Sequence, residues 1–94
     1  MKENNIKVYN YVKENDGRNF TASDIATALG LDVKSVNGII TAAFCRHREE
    51  VDGEKVIVPL MERVEADIET PEGKKTVKFI KLTAEGKAFT PTAD

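Results

Sequence analysis

A turn of three residues between two short helical segments is the feature that most constrains this chain. The first segment opens with Thr21 and Asp24, whose Thr-x-x-Asp spacing is that of a helix capping box. It ends at Gly30, a residue type that is common just after a helix. Only Leu31 then precedes Asp32, the predicted cap of the next helix. Two helices joined this tightly are typical of a helix-turn-helix motif.

Apolar spacing predicts which sides of these two helices face the core. Ile25 and Leu29 stand one helical turn apart in the first helix, and Val36 and Ile40 do so in the second. We predict that all four are core residues. Residues 4–15 carry a further apolar arc at helical spacing, so the sequence predicts three helices before residue 50.

The apolar period changes from helical to alternating in the second half of the chain. Apolar and acidic residues alternate over residues 64–68, and residues 76–82 read as a second strand. The segment between them contains Glu72 and Gly73, which we place at the centre of a turn. The sequence therefore predicts a β-hairpin spanning 64–82, followed by a short capped turn of helix over residues 83–89.

The position of this turn predicts which residues lie opposite each other in the hairpin. The predicted pairs are Ile68 with Val77, Ala66 with Phe79, and Asp67 with Lys78. Ala66 and Phe79 are expected on the face that packs on the core, and Asp67 on the solvent face. Ile80 and Leu82 break the alternation, which predicts a bulge or a twist where the strand leaves the hairpin.

Charge is unevenly distributed along the chain. The whole sequence has 14 lysines and arginines, 16 aspartates and glutamates, and a net charge of -2. Residues 33–48 nevertheless carry +3 without an acidic side chain, residues 49–72 carry -7, and residues 73–87 carry +4. This separation predicts a basic surface on a protein whose overall balance is acidic.

A single cysteine and a single histidine limit the chemistry that we expect of the chain. Cys45 permits no internal disulfide, and with His47 alone it is too little for a Cys/His metal site. Two residues apart on a helix, these side chains point in different directions, which argues against a pair of nucleophile and base. We therefore expect no catalysis, no metal and no cofactor.

The order of elements and three sequence blocks resemble those of winged helix-turn-helix DNA-binding domains, especially the MarR-like branch of bacterial and phage regulators. The blocks are residues 20–31, 34–40 and 81–87, which read FTASDIATALGL, KSVNGII and KLTAEGK. The resemblance implies an α+β, mainly α fold, with a three-helix bundle followed by a β-hairpin wing and a short C-terminal helical turn. Residues 45–50 lack the glycine that usually closes the family's recognition helix, so we expect a longer helix here.

The resemblance also implies that the second helix of the motif enters the major groove of double-stranded DNA. Its expected DNA-binding residues are Lys34, Ser35, Asn37, Gly38 and Thr41. Lys34 suits guanine or a phosphate, Asn37 suits adenine, and Gly38 lets the helix backbone approach closely. A merely solvated helix face explains Lys34, Asn37 and Thr41 equally well.

Basic residues outside this helix are the second set of expected DNA contacts. Lys74 and Lys75 lie beside the predicted hairpin tip, where lysines bind phosphate without reading sequence. Arg46 and Arg48 are expected to contact flanking phosphates. Solubility and protection of a strand edge explain the lysines as readily, and pairing with the neighbouring glutamates explains the arginines.

The sequence thus predicts one domain over residues 1–90 and a polar tail over 91–94. We expect it in the cytoplasm, because neither a signal peptide nor a membrane span is recognisable. The expected function is binding of double-stranded DNA as a small transcriptional regulator. A homodimer is expected on paired half-sites, with Tyr9 and Tyr11 of the first helix as its candidate contact surface.

Two other functions stay open. A winged helix can serve as a protein-interaction module, and the acidic block 49–72 suits that role. Within it, Glu65, Asp67 and Glu69 share one strand face, although pairing with Lys78 and solvation explain them more simply. A ligand-responsive regulator is the third function, and it has the least support because so short a chain has little volume for a pocket.

Overall fold

The computed structural model describes residues 1–91, which form an α+β fold of four helices and two antiparallel β-hairpins. The helices are α1 (Glu3–Glu14), α2 (Ala22–Leu29), α3 (Val33–Ile39) and α4 (Ala84–Ala88), and a π-helical segment (Ile40–Cys45) continues α3 directly. The strands are β1 (Arg48–Val51), β2 (Glu54–Ile57), β3 (Met61–Thr70) and β4 (Gly73–Leu82). The structure confirms the predicted three helices before residue 50, the hairpin that follows them and the short final helix. This layout is compatible with a winged helix. The predicted polar tail lies outside the described residues except for Pro91.

Local hydrogen bonds explain where α2 begins and ends. Thr21 Oγ1 accepts a bond from the N–H of Asp24 at 3.3 Å, and the Asp24 carboxylate accepts one from the N–H of Thr21 at 2.9 Å. This is the predicted capping box. Gly30 takes a left-handed conformation with φ of 69°, which glycine adopts without steric cost. Asp32 precedes α3 at the predicted cap position, although its side chain makes no capping hydrogen bond, and the stretch Val33–Cys45 leaves α2 at 115°.

The end of this helical stretch is wider than an α-helix. The N–H of Arg46 donates to the carbonyl oxygen of Thr41, five residues back, at 3.0 Å. The wider turn keeps Phe44 in line with Val36 and Ile40, and all three side chains are fully buried. In a regular α-helix, Phe44 would be rotated by ~80° from Val36. The helical stretch therefore continues beyond α3 to Cys45, with Phe44 packed in the core.

The core lies between the three N-terminal helices and the base of the β3–β4 hairpin. Ile25, Val36 and Ile40 are fully buried, as predicted, whereas Leu29 packs only half-buried at its edge. Other fully buried large side chains are Val8, Tyr9, Val12, Phe44, Leu60, Met61 and Ile80. Leu29 therefore belongs to the margin of the core rather than to its centre.

The two tyrosines of α1 differ in position. Tyr9 is fully buried, and its hydroxyl donates to the carbonyl oxygens of Gly86 and Phe89, each 2.6 Å away. Tyr11 is half-buried, with its ring edge-on to Phe20 at 5.5 Å. Tyr9 therefore cannot form part of a surface for a second copy, because its side chain is already used to hold α4 against α1.

β1 and β2 form a hairpin that the sequence analysis did not predict, and we call it the short hairpin. Its turn consists of Asp52 and Gly53, which have φ values of 53° and 82°. Asp-Gly is a favoured pair for a turn of this kind. All residues of both strands are exposed. Residues 48–57 consequently lack the alternation that marks a half-buried strand.

β3 and β4 form the long hairpin, in which the predicted register is wrong by two residues. Thr70 lies opposite Gly73, so the turn residues are Pro71 and Glu72. The turn comes one residue early because Gly73, with φ of 122°, already belongs to β4. The observed pairs are Ile68 with Lys75, Asp67 with Thr76, Ala66 with Val77, and Glu65 with Lys78.

The faces of the long hairpin also differ from the prediction. Ile80 and Leu82 are buried in the core, and the N–H of Ile80 donates to the carbonyl oxygen of Phe20 at 2.9 Å. Ala66 and Phe79 lie on the opposite face and are half-buried. The pairing of β3 with β4 runs without a bulge. Apolar residues on both faces near the base therefore explain the broken alternation.

Candidate nucleic-acid interface

The outward side of α3 brings together the residues that the sequence predicts as base contacts. Lys34, Ser35, Asn37 and Gly38 are solvent-exposed, and Thr41, in the π segment, is half-buried. Helical geometry places this side opposite the α3 residues that are in the core. No acidic side chain occurs between residues 33 and 48, so this side of the helix does not repel phosphate.

β3 brings Arg63 across one flank of the same helix. Its Nη2 donates to Thr41 Oγ1 at 3.0 Å, to the backbone oxygen of Asn37 at 3.3 Å, and to Asn37 Oδ1 at 3.4 Å. Its Nη1 lies 3.6 Å from Cys45 Sγ. A guanidinium stays charged in proteins, so Arg63 adds a fixed positive charge beside α3.

The helix backbone is accessible at Gly38. A Cβ atom built on this residue would meet no other atom within 4 Å. An open groove of about 750 Å³ runs beside it, between α3 and the first turn of α1. Ser35, Gly38 and Ala42 line one wall of this groove, and Asn4 and Asn5 line the other. A group of the size of a nucleobase edge can therefore approach the helix here.

Arg46 and Arg48 extend this basic side beyond the end of the helical stretch. Arg46 follows the π segment directly, and Arg48 is the first residue of β1. Both are exposed, and both line a second open groove, of about 690 Å³, beside Ala42 and Ala43. The two arginines are thus close to α3 although they belong to different elements.

Lys74 and Lys75 are exposed near the tip of the long hairpin, but on different faces. Lys74 lies opposite Glu69, and Lys75 lies opposite Ile68. Successive residues of a strand point to opposite faces, so the two ammonium groups cannot reach the same side of the hairpin equally. The structure therefore separates two lysines that the sequence analysis treated as one pair.

The carboxylates Glu65, Asp67 and Glu69 share the face of β3 that also carries Arg63. Asp67 accepts a bond from Thr76 Oγ1 at 2.7 Å, so its predicted pairing with Lys78 is wrong. The register moves Lys78 opposite Glu65 instead. This acidic strand face lies between the Arg63 end of the hairpin and the Lys74 end.

The cysteine and the histidine contact different partners. Cys45 accepts from Arg63, whereas the ring of His47 lies edge-on to Phe89 at 5.2 Å. Across residues 1–91, no three His, Cys, Asp or Glu side chains are grouped so as to hold a metal ion. In the same range, no single helix is long and apolar enough to cross a membrane, and α2 with Val33–Cys45 passes that test only as a bent pair.

Arg63 is the residue of this interface that the sequence analysis missed. It is an isolated base within an acidic block, and nothing in its local pattern distinguishes it. Its alternation with Met61, on the buried face of β3, is the one signal that could have placed it beside the helices.

Comparisons of the chain with protein-family profiles, curated proteins and solved structures found no match. The function of the chain is therefore inferred from geometry and charge.

Proposed function

We propose that this chain is a winged helix-turn-helix domain of the MarR-like type that binds double-stranded DNA as a small, non-catalytic transcriptional regulator. The observation that carries the proposal is the exposed, acid-free outer side of α3, which begins the helical stretch Val33–Cys45 that stands at 115° to α2. The helices of a helix-turn-helix motif cross at about 90–120°. In this function α3 is the recognition helix and the long hairpin is the wing.

The side chains on α3 support contact with base edges. The major groove of B-DNA is about 12 Å wide and admits an α-helix. Lys34 and Asn37 are exposed hydrogen-bonding residues. Gly38, which lines the adjacent groove, leaves the helix backbone accessible there. Lys34 and Asn37 thus supply polar groups, and Gly38 adds no steric bulk, at the point where the helix would approach the bases.

Basic residues around α3 support contact with the phosphate backbone. Arg46 and Arg48 lie past its C-terminal end, and Lys74 and Lys75 lie at the tip of the long hairpin. The carboxylates along β3, between Arg63 and the tip of the long hairpin, repel phosphate. We therefore expect the duplex to touch α3 and the hairpin tip, and to stay clear of the acidic strand face.

Two copies on paired half-sites fit this function, since one recognition helix makes few base contacts. Tyr9 takes no part in the contact between copies, because it is buried within each copy. Sedimentation of the protein with and without a palindromic duplex would measure whether DNA brings two copies together.

A protein-interaction module is the second candidate function. The observation that favours it is the exposed row Glu65, Asp67 and Glu69 on one face of β3, with Lys78 and Lys74 opposite the two glutamates on β4. Such a face suits a basic protein partner through charge complementarity. It would be used if the α3 side bound no nucleic acid.

A salt titration of binding to random-sequence duplexes tests the DNA-binding function. Each phosphate contact contributes about 0.9 to the slope of log affinity against log salt concentration. Replacing both Lys74 and Lys75 by alanine should lower affinity for all sequences and reduce the slope by up to about 2. Lys7→Ala is the matched control, because Lys7 is an exposed lysine on α1 that pairs with Glu3.

The slopes of the single lysine variants refine this result. The two lysines lie on different faces, so we expect one of them to account for most of the loss. A wild-type protein with no salt-sensitive affinity for any duplex would contradict the proposed function. The acidic strand face would then be the surface to test with basic peptides.

A further inference from the structure

The carboxamide of Asn37 is held by Arg63. The guanidinium Nη2 lies 3.4 Å from Asn37 Oδ1, and it also contacts Thr41 Oγ1 and the backbone oxygen of Asn37. These contacts engage the side-chain oxygen of Asn37 within the protein. Asn37 is an exposed residue whose Nδ2 amide carries two donors and no acceptor, while its Oδ1 faces the guanidinium of Arg63.

The surface around Asn37 consequently offers donors and few acceptors. Lys34 has an ammonium group with three donors, and the guanidinium of Arg63 has five N–H donors, some of which contact Asn37, Thr41 and Cys45. Neither group can accept a hydrogen bond. Gly38 contributes no side chain, and α3 has no carboxylate. A ligand that matches this surface must supply neighbouring acceptors.

Guanine is the base that best meets this requirement in the major groove. It presents two acceptors, N7 and O6, whereas adenine presents one acceptor and one donor. We propose that the outer side of α3 selects guanine, and that Arg63 is the residue that determines this specificity. The inference rests on the proposed DNA-binding function and identifies the base that the same surface reads.

Arg63 reverses the preference that Asn37 would have by itself. A free asparagine pairs with adenine by accepting from N6 and donating to N7. Oδ1 lies 3.4 Å from Nη2 of Arg63, so the N6 amino group of adenine, itself a donor, would approach Oδ1 against the N–H donors of the guanidinium, whereas the Nδ2 donor for N7 is kept. The guanidinium, which is the commonest partner of guanine O6 and N7, lies beside it. Removing Arg63 should therefore return Asn37 to adenine.

Selection from a randomised duplex library tests this inference with the full chain. The wild type should enrich guanine at one or more positions, with about 5- to 150-fold discrimination against adenine. Arg63→Ala should enrich adenine at the same position. The double variant Arg63→Ala, Asn37→Ala should show no preference there, because the released carboxamide is gone. Thermal unfolding of each variant establishes that it is folded at the selection temperature.

Arg63→Lys is the matched control for charge. Lysine keeps the positive charge but lacks the planar fork that contacts Asn37 and Thr41 together. It should keep the wild-type salt slope and lose most of the guanine selection. Arg63→Ala should lose the selection and also lower the slope by about 1 if the guanidinium neutralises a phosphate.

The outcomes separate this inference from the proposed function. An unchanged guanine preference in Arg63→Ala, or in Arg63→Lys if the alanine variant does not fold, would overturn the role of Arg63. A wild-type preference for adenine at the helix-contacted position would do the same. In each case salt-dependent affinity for DNA would still stand, whereas its absence from the wild type would overturn the proposed function itself.

Discussion

The two hairpins differ in their turns and, far more, in their surroundings. The short hairpin turns at Asp52 and Gly53, both with positive φ, whereas the long hairpin turns at Pro71 and Glu72, and Gly73, with positive φ, begins β4. In the long hairpin, the base buries Met61, Ile80 and Leu82 in the core. In the short hairpin, every strand residue is exposed. The comparison shows that turn chemistry can form a hairpin, while burial at its base decides how firmly the hairpin is held.

The segment that joins the two hairpins explains why the short hairpin does not support the long hairpin. The N–H of Leu60 donates to Phe44 O at 2.8 Å, and Leu60 O accepts from the N–H of Thr83 at 3.0 Å. Thr83 Oγ1 also donates to the carbonyl oxygen of Pro59 at 2.7 Å. Leu60 itself is buried, so the chain is fixed to the core between the hairpins. We expect the short hairpin to open locally without disturbing the long one.

The largest effect is expected at the base of the long hairpin. Ile80→Ala removes a fully buried side chain and should lower the free energy of unfolding by about 2–5 kcal/mol. Chemical denaturation monitored by circular dichroism measures the change. A loss below about 0.5 kcal/mol would mean that the core does not hold this hairpin, and the contrast between the hairpins would fail.

Gly86→Ala tests the packing of α4 against the segment that joins the two hairpins. In most helices alanine is more stable than glycine by about 1 kcal/mol. Here a Cβ atom on Gly86 would overlap the backbone carbonyl of Leu60, so we expect a loss of about 1–3 kcal/mol. Gly38→Ala is the matched control, since a Cβ there meets no atom within 4 Å. A gain from Gly38→Ala and a loss from Gly86→Ala, both read from thermal melting, would sharpen the comparison.

Alkaline pH should weaken the contact that holds α4 after the long hairpin. Burial raises the pKa of Tyr9, whose hydroxyl must keep its proton to donate to Gly86 and Phe89. Above a pH of about 10 the unfolded chain loses this proton while the folded protein retains it. Stability is therefore fully present below that pH and falls as the pH rises through the raised pKa.

Tyr9→Phe isolates this effect. At neutral pH the variant should be less stable by about 1–2 kcal/mol, because the carbonyl oxygens of Gly86 and Phe89 lose the hydroxyl proton that they share. The difference from the wild type should shrink in urea denaturation series above a pH of about 10. A difference that stays constant from pH 8 to 11 would show that Tyr9 titrates alike in both states.

The smallest effect is expected in the short hairpin. Ile57→Ala changes a side chain that is 56% exposed, so the free energy of unfolding should change by less than about 0.5 kcal/mol. Amide hydrogen exchange of β1 and β2 should be faster than that of β3 and β4 near their base. Equal protection of both hairpins would mean that the short one unfolds only with the whole domain.

The helices could be predicted closely because their signals are local. Thr21 and Asp24 form the predicted capping box, and Gly30 ends α2 at the predicted position. The strands were harder, since a hairpin register depends on one turn. Placing Gly73 inside the turn, rather than at the start of β4, shifted every predicted pair by two residues. The short hairpin was missed because exposed strands carry no alternation.

The candidate interface divides in the same way. Lys34, Asn37 and Gly38 were predicted from helical spacing, and they are exposed on one side of α3. Arg63 was missed because it reaches Asn37 across 26 residues of chain, through the pairing of β3 with β4 and the packing of β3 on the helices. No local pattern records such a contact.

By itself, the sequence determined the helix boundaries, the turn between α2 and α3, and the acid-free side of α3, because caps, glycines and apolar spacing act within a few residues of chain. Only the tertiary structure decided which face of the long hairpin is buried and what Asn37 can offer to a ligand. Met61, Ile80 and Leu82 fill the core, whereas Phe79 lies on the opposite face. That choice depends on how apolar surfaces distant in sequence bury each other, and it is the choice that brings Arg63 to α3.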